Sequence, residues 1–168
     1  AALLYVANQA RSNLHGSPLS PAGQQGSNPL GFASLSEAEK VFLTTGTEDE
    51  NALNNMVWRV EAANTLLWAL DLGPAQIQYS DLADPDQLWQ SMAGKAADQM
   101  ALRPMPELLD ALDRTWREHW IIRQARNTGA ETAPLNGDII AERHTALNWL
   151  LSFHNDLGTP WDEIDSPT

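Results

Sequence analysis

The sequence predicts an all-α fold, a single-domain bundle of about six helices closed by an extended C-terminal tail. Three observations lead there. Apolar residues recur at three- and four-residue spacing through most of the chain. No stretch alternates apolar and polar residues for long enough to make a half-buried strand. Ser, Gly and Pro fall where the periodic stretches begin and end. With 168 residues, 43% of them apolar, the chain can close one hydrophobic core. Residues 1–168 are therefore read as one domain.

The elements follow in order. Leu3, Leu4, Val6, Ala7, Ala10 and Leu14 mark a first helix over residues 1–14. The opening "AALLYVANQA" has no Met and reads as the middle of a helix, so a natural start upstream is expected. Residues 16–34 are rich in Gly, Ser, Pro and Gln and are read as a flexible loop. "SLSEAEKVFLTTG" begins with a capping box, Ser36 and Glu39, and stops at Gly46. "TEDENALNNMVWRVEAANTLLWALDLG" is read as one long apolar helix ending near Gly73, since Pro74 forbids continuation.

A connector at 75–84 contains "IQY", too short to assign as a strand. "DPDQLWQSMAGKAADQM" is read as a short helix. "RPMPELLDALDRTWREHWIIRQARNTG" is a long one, with Pro106 in its first turn and Gly129 past its end. "DIIAERHTALNWLLSFHNDLG" is the last helix, and residues 159–168 form the tail.

Composition narrows the function classes. The chain has no Cys, which excludes disulfides and thiolate metal sites. Its net charge of −12 disfavours nucleic acid and favours a basic protein partner. "TEDEN" at 47–51 and "WDEID" at 161–165 are the densest acidic runs. No apolar run is long enough for a membrane span. A cytoplasmic location is expected, and the oligomeric state is left open.

A helix turns about 100° per residue, so charges can be placed on faces. In the last helix Arg143 falls inside the apolar arc, between Leu150 and Leu147. Glu142 falls on its flank among Trp149 and Phe153. His144 marks the other border, next to Leu151, and Asn148 and Thr145 belong to the opposite face. In the helix from Glu107, Leu109, Leu112, Trp116 and Trp120 form the apolar stripe, with Arg123 inside it and His119 beside it. The helix around Trp58 is apolar almost all round, as a central helix would be, yet carries Arg59 and Glu61.

Charges directed at a shared core must pair. Glu61 and Glu142 are the carboxylates best placed to hold Arg123 and Arg143, and the expectation is a buried pair between Glu61 and either Arg143 or Arg123, with His119 at its edge. Glu61, His119, Arg123, Glu142, Arg143 and His144 are the candidate site residues.

"WRVEAANTLLWALDLG", "LRPMPELLDALDRTWREHWIIRQAR", "DIIAERHTALNWLL" and "WDEIDSPT" resemble, in that order, the motifs of the bacterial domain of unknown function family DUF4272. The resemblance runs from about residue 36 to the C-terminus and is looser before it. The chain departs from the family pattern at Glu118, where a hydrophobic residue is usual. The resemblance implies a small soluble bacterial protein and carries no activity with it.

Chemistry is weighed on that basis. No HExxH motif, GxSxG elbow or Gly-rich phosphate loop is present, so neither a metal nor a cofactor is expected. The leading expectation is a non-catalytic binding or accessory protein, immunity-like in role, engaging a protein through its acidic surface. The alternative is an enzyme or small-anion-binding protein. It would use His119 or His144 with Glu61 or Glu142 and arginines in a Trp-lined pocket. Trp89 is a candidate partner anchor, and Trp161 is expected to dock back onto the last two long helices.

Overall fold

The computed structural model describes residues 1–17, 19–20, 26, 29–73, 82–96, 98 and 100–168. All regular structure among these residues is helical. Residues 75–81 of the connector, "IQY" among them, lie outside the described residues, as does much of the 16–34 loop. Part of that loop is not irregular, because Pro29–Ala33 forms a short helix.

Helix α1 spans Ala2–Leu14 and α2 spans Pro29–Ala33. Helix α3, Glu37–Thr45, starts on the predicted capping box, with Ser36 and Glu39 each bonding the other's backbone N–H. The long helix expected from 47 to 73 is two helices, α4 (Glu50–Val57) and α5 (Arg59–Ala69). The break is at Trp58, whose carbonyl accepts from Glu61 N at 2.9 Å, a tighter turn than the α-helical one. Helix α5 stops short of Gly73. Both Leu72 N and Gly73 N return to the carbonyl of Leu67, which folds the chain back on the helix end.

Helix α6 is Pro85–Met92, capped by Asp84. Helix α7 is Met105–Thr128, ended by Gly129 in the left-handed region. Helix α8 is Gly137–Leu151, capped by Asn136. It ends earlier than the sequence predicts, because Ser152 turns into the left-handed region at φ 51°. Phe153 and His154 therefore lie in a turn, not on the helix. No helix among the described residues is long and apolar enough to cross a membrane.

Helix α5 is central, as its apolar girth predicts. Val60, Ala63 and Leu67 pack with Leu3, Leu4 and Ala7 of α1 and Leu88 of α6. Trp68 and Ala69 pack with Leu108 and Leu112 of α7 and Leu147 of α8. A further cluster joins Val6 and Ala10 of α1 to Phe42, Leu43 and Leu53. Trp89 belongs to this packing: it is half-buried with its ring 5.1 Å from that of Tyr5, so it is not a free anchor.

Helices α7 and α8 run antiparallel. Arg126 approaches Asp138 near the connecting loop, His119 meets His144 at mid-length, and Leu108 and Leu112 pack with Leu147 further along. The face of α7 that meets α8 is not the predicted one. Leu108, Leu112, Thr115, Ile122 and Ala125 are buried, whereas Leu109, Trp116 and Trp120 are exposed. Thr115 and Ala125 are small, and small side chains let two helix axes approach closely.

The tail is not simply extended. Trp161–Glu163 makes one 3-10 turn, and residues beyond it run along α7 and α8. Trp161 packs edge-on to Trp149, with ring centroids 5.8 Å apart. Asn148 Nδ2 donates to the carbonyl of Asp165, Thr145 Oγ1 meets Ser166 Oγ, and Trp116 Nε1 donates to the carbonyl of Pro167. Trp161 thus docks back on the bundle, but against Trp149 of α8 and Arg59 of α5 rather than on the last two long helices together.

Candidate functional site

Glu61 lies in the first turn of α5 and Arg143 in the middle of α8. Their side chains are fully buried, and Arg143 Nη2 donates to Glu61 Oε2 at 2.9 Å. The other carboxylate oxygen accepts from the backbone N–H of Ala83 at 2.6 Å. Both oxygens of Glu61 are therefore engaged. Of the two arginines expected to hold it, Arg143 does and Arg123 does not. Arg123 is exposed on α7 and donates to the carbonyl and hydroxyl of Thr168 in the tail. The predicted stripe placed Arg123 inward. The face chosen by α8 turns it outward.

Glu142, one residue before Arg143, points to the neighbouring side of α8. Arg59 Nη1 donates to both of its oxygens, at 3.3 and 3.2 Å. The expectation that Glu142 would hold Arg123 or Arg143 is corrected accordingly. The guanidinium of Arg59 also lies over the Trp161 ring, 5.5 Å from its centroid. Burial pushes the carboxyl of Glu142 above its usual range, and Arg59 pulls against that shift. The pair sits at the edge of a cleft of about 340 Å³ that Asn55, Met56, Trp58 and Asp138 also line.

Glu39 is the residue that sequence reasoning missed. Its capping role was legible, but its burial was not: it is 2% exposed. One oxygen accepts from Ser36 N, and Oε1 has no partner among the described residues. Burial raises its carboxyl above the usual range, while Ser36 and Arg59 hold it down. Its place on α3, three and four residues before Phe42 and Leu43, was the signal available.

His119 and His144 meet Nδ1 to Nδ1 at 2.9 Å with rings nearly perpendicular. One nitrogen must donate and the other accept, so the pair fixes one tautomer against the other. His144 is fully buried, which corrects its reading as a border residue. Burial holds His144 down to about 4, with His119 and His154 adding to the effect and Asp165 opposing it. His119 is lowered by burial and then by Arg123 and Arg126. Asn148, placed on the outer face by the helix wheel, is also fully buried, because the tail covers that face.

The predicted set thus divides into three separate arrangements. Glu61 with Arg143 is sealed, His119 with His144 bridges two helices, and Glu142 with Arg59 borders a cleft. Among the described residues no three His, Cys, Asp or Glu side chains gather closely enough to hold a metal ion. What this arrangement does well is fix the relative positions of α5, α7, α8 and the tail. The Arg59–Glu142 pair and the His119 end of the histidine pair are partly exposed.

No curated protein and no solved structure matches the chain. The family described as "Domain of unknown function (DUF4272)" matches residues 1–164, which extends the likeness through the first helix and the loop after it. The chain belongs to the DUF4272 family.

Proposed function

We propose that the chain is a non-catalytic bacterial binding protein, cytoplasmic and immunity-like in role, that engages a basic protein partner through its acidic surface. The observation that carries this reading is the sealing of Glu61 and Arg143, both 0% exposed. A charge pair that no substrate can reach serves the scaffold, and function then falls to the surface. The surface is acidic in balance, with 22 Asp and Glu against 10 Lys and Arg. An open cleft of about 550 Å³ lies where α1 and α3 end and α4 begins, and Glu48 and Glu50 line it with Asn13, Leu14 and Leu53. Exposed carboxylates around a concavity attract cationic side chains and speed encounter.

The test is capture of partners from native lysate by wild type and by Glu48→Lys/Glu50→Lys. A specific basic protein retained by wild type and lost by the variant supports the reading. Equal capture by both, or co-purification of a small molecule with no protein, overturns it.

A second reading, an enzyme or small-anion site, has one observation in its favour. Glu142 combines a raised carboxyl with a place on the Arg59 cleft. Of its other expected members, Glu61 and His144 are buried away from solvent and His119 is half-buried.

A further inference from the structure

Helices α7 and α8 grip the tail chiefly through its main chain. Asn148 Nδ2 donates to the carbonyl of Asp165 at 3.0 Å, and Trp116 Nε1 donates to the carbonyl of Pro167 at 3.1 Å. Arg123 Nη1 donates to the carbonyl of Thr168. Upstream, Trp161 lies against Trp149 and near the guanidinium of Arg59. These contacts make a seat for an extended peptide: bonds to main-chain carbonyls hold the strand, and one aromatic anchor sets its register. Such contacts do not depend on which chain presents the peptide.

The segment that fills the seat also holds its own shape. Asn155 bonds both the N–H and the carbonyl of Asp165, at 3.0 and 3.1 Å. Asp156 O accepts from Thr159 N at 3.1 Å and from Thr159 Oγ1 at 2.8 Å. Residues 155–168 are therefore a hook closed on itself, joined to α8 through residues 152–154 alone. That joint is strained. Ser152 and His154 both stand in the left-handed region, at φ 51° and 56°, which a side chain disfavours. Swinging the joint open relieves both residues. It gives up the bond from Phe153 N to Asn148 O and the one from Asn155 Nδ2 to Phe153 O. A short strained hinge beside a self-contained terminal segment favours exchange of that segment between copies. A second copy presents the same hook and the same seat, so every contact between hook and seat is remade across the pair.

We propose that the α7–α8 seat is a peptide-binding groove whose occupant is the hook of a second copy. Two chains exchange residues 155–168 reciprocally, hinged at Ser152 and His154, and each completes the other's groove.

The chain has no Cys, which makes the exchange directly readable. Thr145 Oγ1 of the seat and Ser166 Oγ of the hook lie 3.0 Å apart, so cysteines at these positions fall within disulfide reach. Thr145→Cys and Ser166→Cys are made separately in the full chain, mixed at millimolar concentration and oxidised. Circular dichroism and melting establish that both fold. Covalent dimer joined from 145 to 166, read by mass spectrometry, is expected to outnumber the 145–145 and 166–166 products. Sedimentation equilibrium of wild type from micromolar to millimolar concentration is expected to show a dimer. Ser152→Gly/His154→Gly removes the strain that opens the joint and is expected to weaken that dimer at least about tenfold. Wild type that stays monomeric throughout overturns the proposal. So does cross-linking with no preference for 145–166, and so does a dimer indifferent to the two glycines.

Discussion

Arg143 and Glu61 form a salt bridge 82 positions apart in sequence, at 2.9 Å, with no solvent access to either side chain. Removing one partner strands the other charge in the core. Arg143→Met is expected to destabilise the fold by about 3–5 kcal/mol. Glu61→Gln with Arg143→Met removes both charges and keeps an acceptor for Ala83 N. The double variant is expected to be more stable than Arg143→Met alone. Urea denaturation of the three proteins checks this, and a double variant worse than the single one would refute it.

The His119–His144 pair gives the protein a pH dependence of definite sign. His144 is held near 4 in the folded state, against 6.5 as its ordinary value. The unfolded chain therefore binds this proton first as pH falls. Stability from this group is complete above 6.5 and is lost progressively down to about 4. The loss is at most on the order of 3 kcal/mol. Glu39 and Glu142 act in the opposite sense, because carboxyls raised by folding favour the native state on protonation, over a window that opens upward from 4.5 and overlaps that of His144. Denaturation between pH 7 and 5 is expected to show falling stability, with a shallower slope in His144→Gln. Identical slopes in the two proteins would contradict it.

Asn155 clamps the tail like a strand partner. Its Oδ1 accepts from Asp165 N and its Nδ2 donates to Asp165 O. Asn155→Ala is expected to cost about 1–2 kcal/mol. Deleting residues 160–168 is expected to cost more, since it also strips Trp161 from Trp149 and uncovers Asn148. Thermal melts order the three proteins; an unchanged melting temperature for the deletion would show that the tail is not part of the folded unit.

Gly73 sits where a side chain has no room. A Cβ there would lie 2.9 Å from the backbone nitrogen of Trp68, an atom inside α5 that cannot move aside. Gly73→Ala is expected to cost about 1–3 kcal/mol. By contrast Gly137→Ala would press first on the flexible end of Arg126, 2.7 Å away, and is expected to cost less. Equal losses in chemical denaturation would argue against this difference.

Ser36 anchors the capping box of α3 and its hydroxyl accepts from Glu39 N at 3.2 Å. Ser36→Ala is expected to cost about 1 kcal/mol, measured by the same denaturation.

The parts of this fold that sequence discloses are those set by local chemistry. The Ser36–Glu39 box, Gly46, Asn136 and Gly129 act within a few residues, so each helix end they govern is readable. The break at Trp58 has no Gly or Pro to announce it. On α7 the sequence offers two apolar faces. The larger side chains, Trp116 and Trp120, suggest one, but α8 packs on the other, where Thr115 and Ala125 permit close approach. That choice depends on what α8 presents. It also decides the fate of Arg123, which a wheel alone places inward. The Glu61–Arg143 pair was legible because burial forces buried charges to pair. The Arg59–Glu142 pair was not, because both residues border the core and more than one partner suits each.

Asp162 in the tail accepts a hydrogen bond from the backbone of Ala38, 124 positions earlier. This contact and those to α7 and α8 exist only once all three helices have assembled. Closing so long a loop is costly until the rest of the scaffold has brought its ends together. The tail is therefore the last segment to lock during folding and the first to open in the native state. Its opening has its own free energy, smaller than that of global unfolding. A protease that cuts near Gly158 reads that smaller quantity, so nicking there measures how often the latch lifts rather than how stable the bundle is.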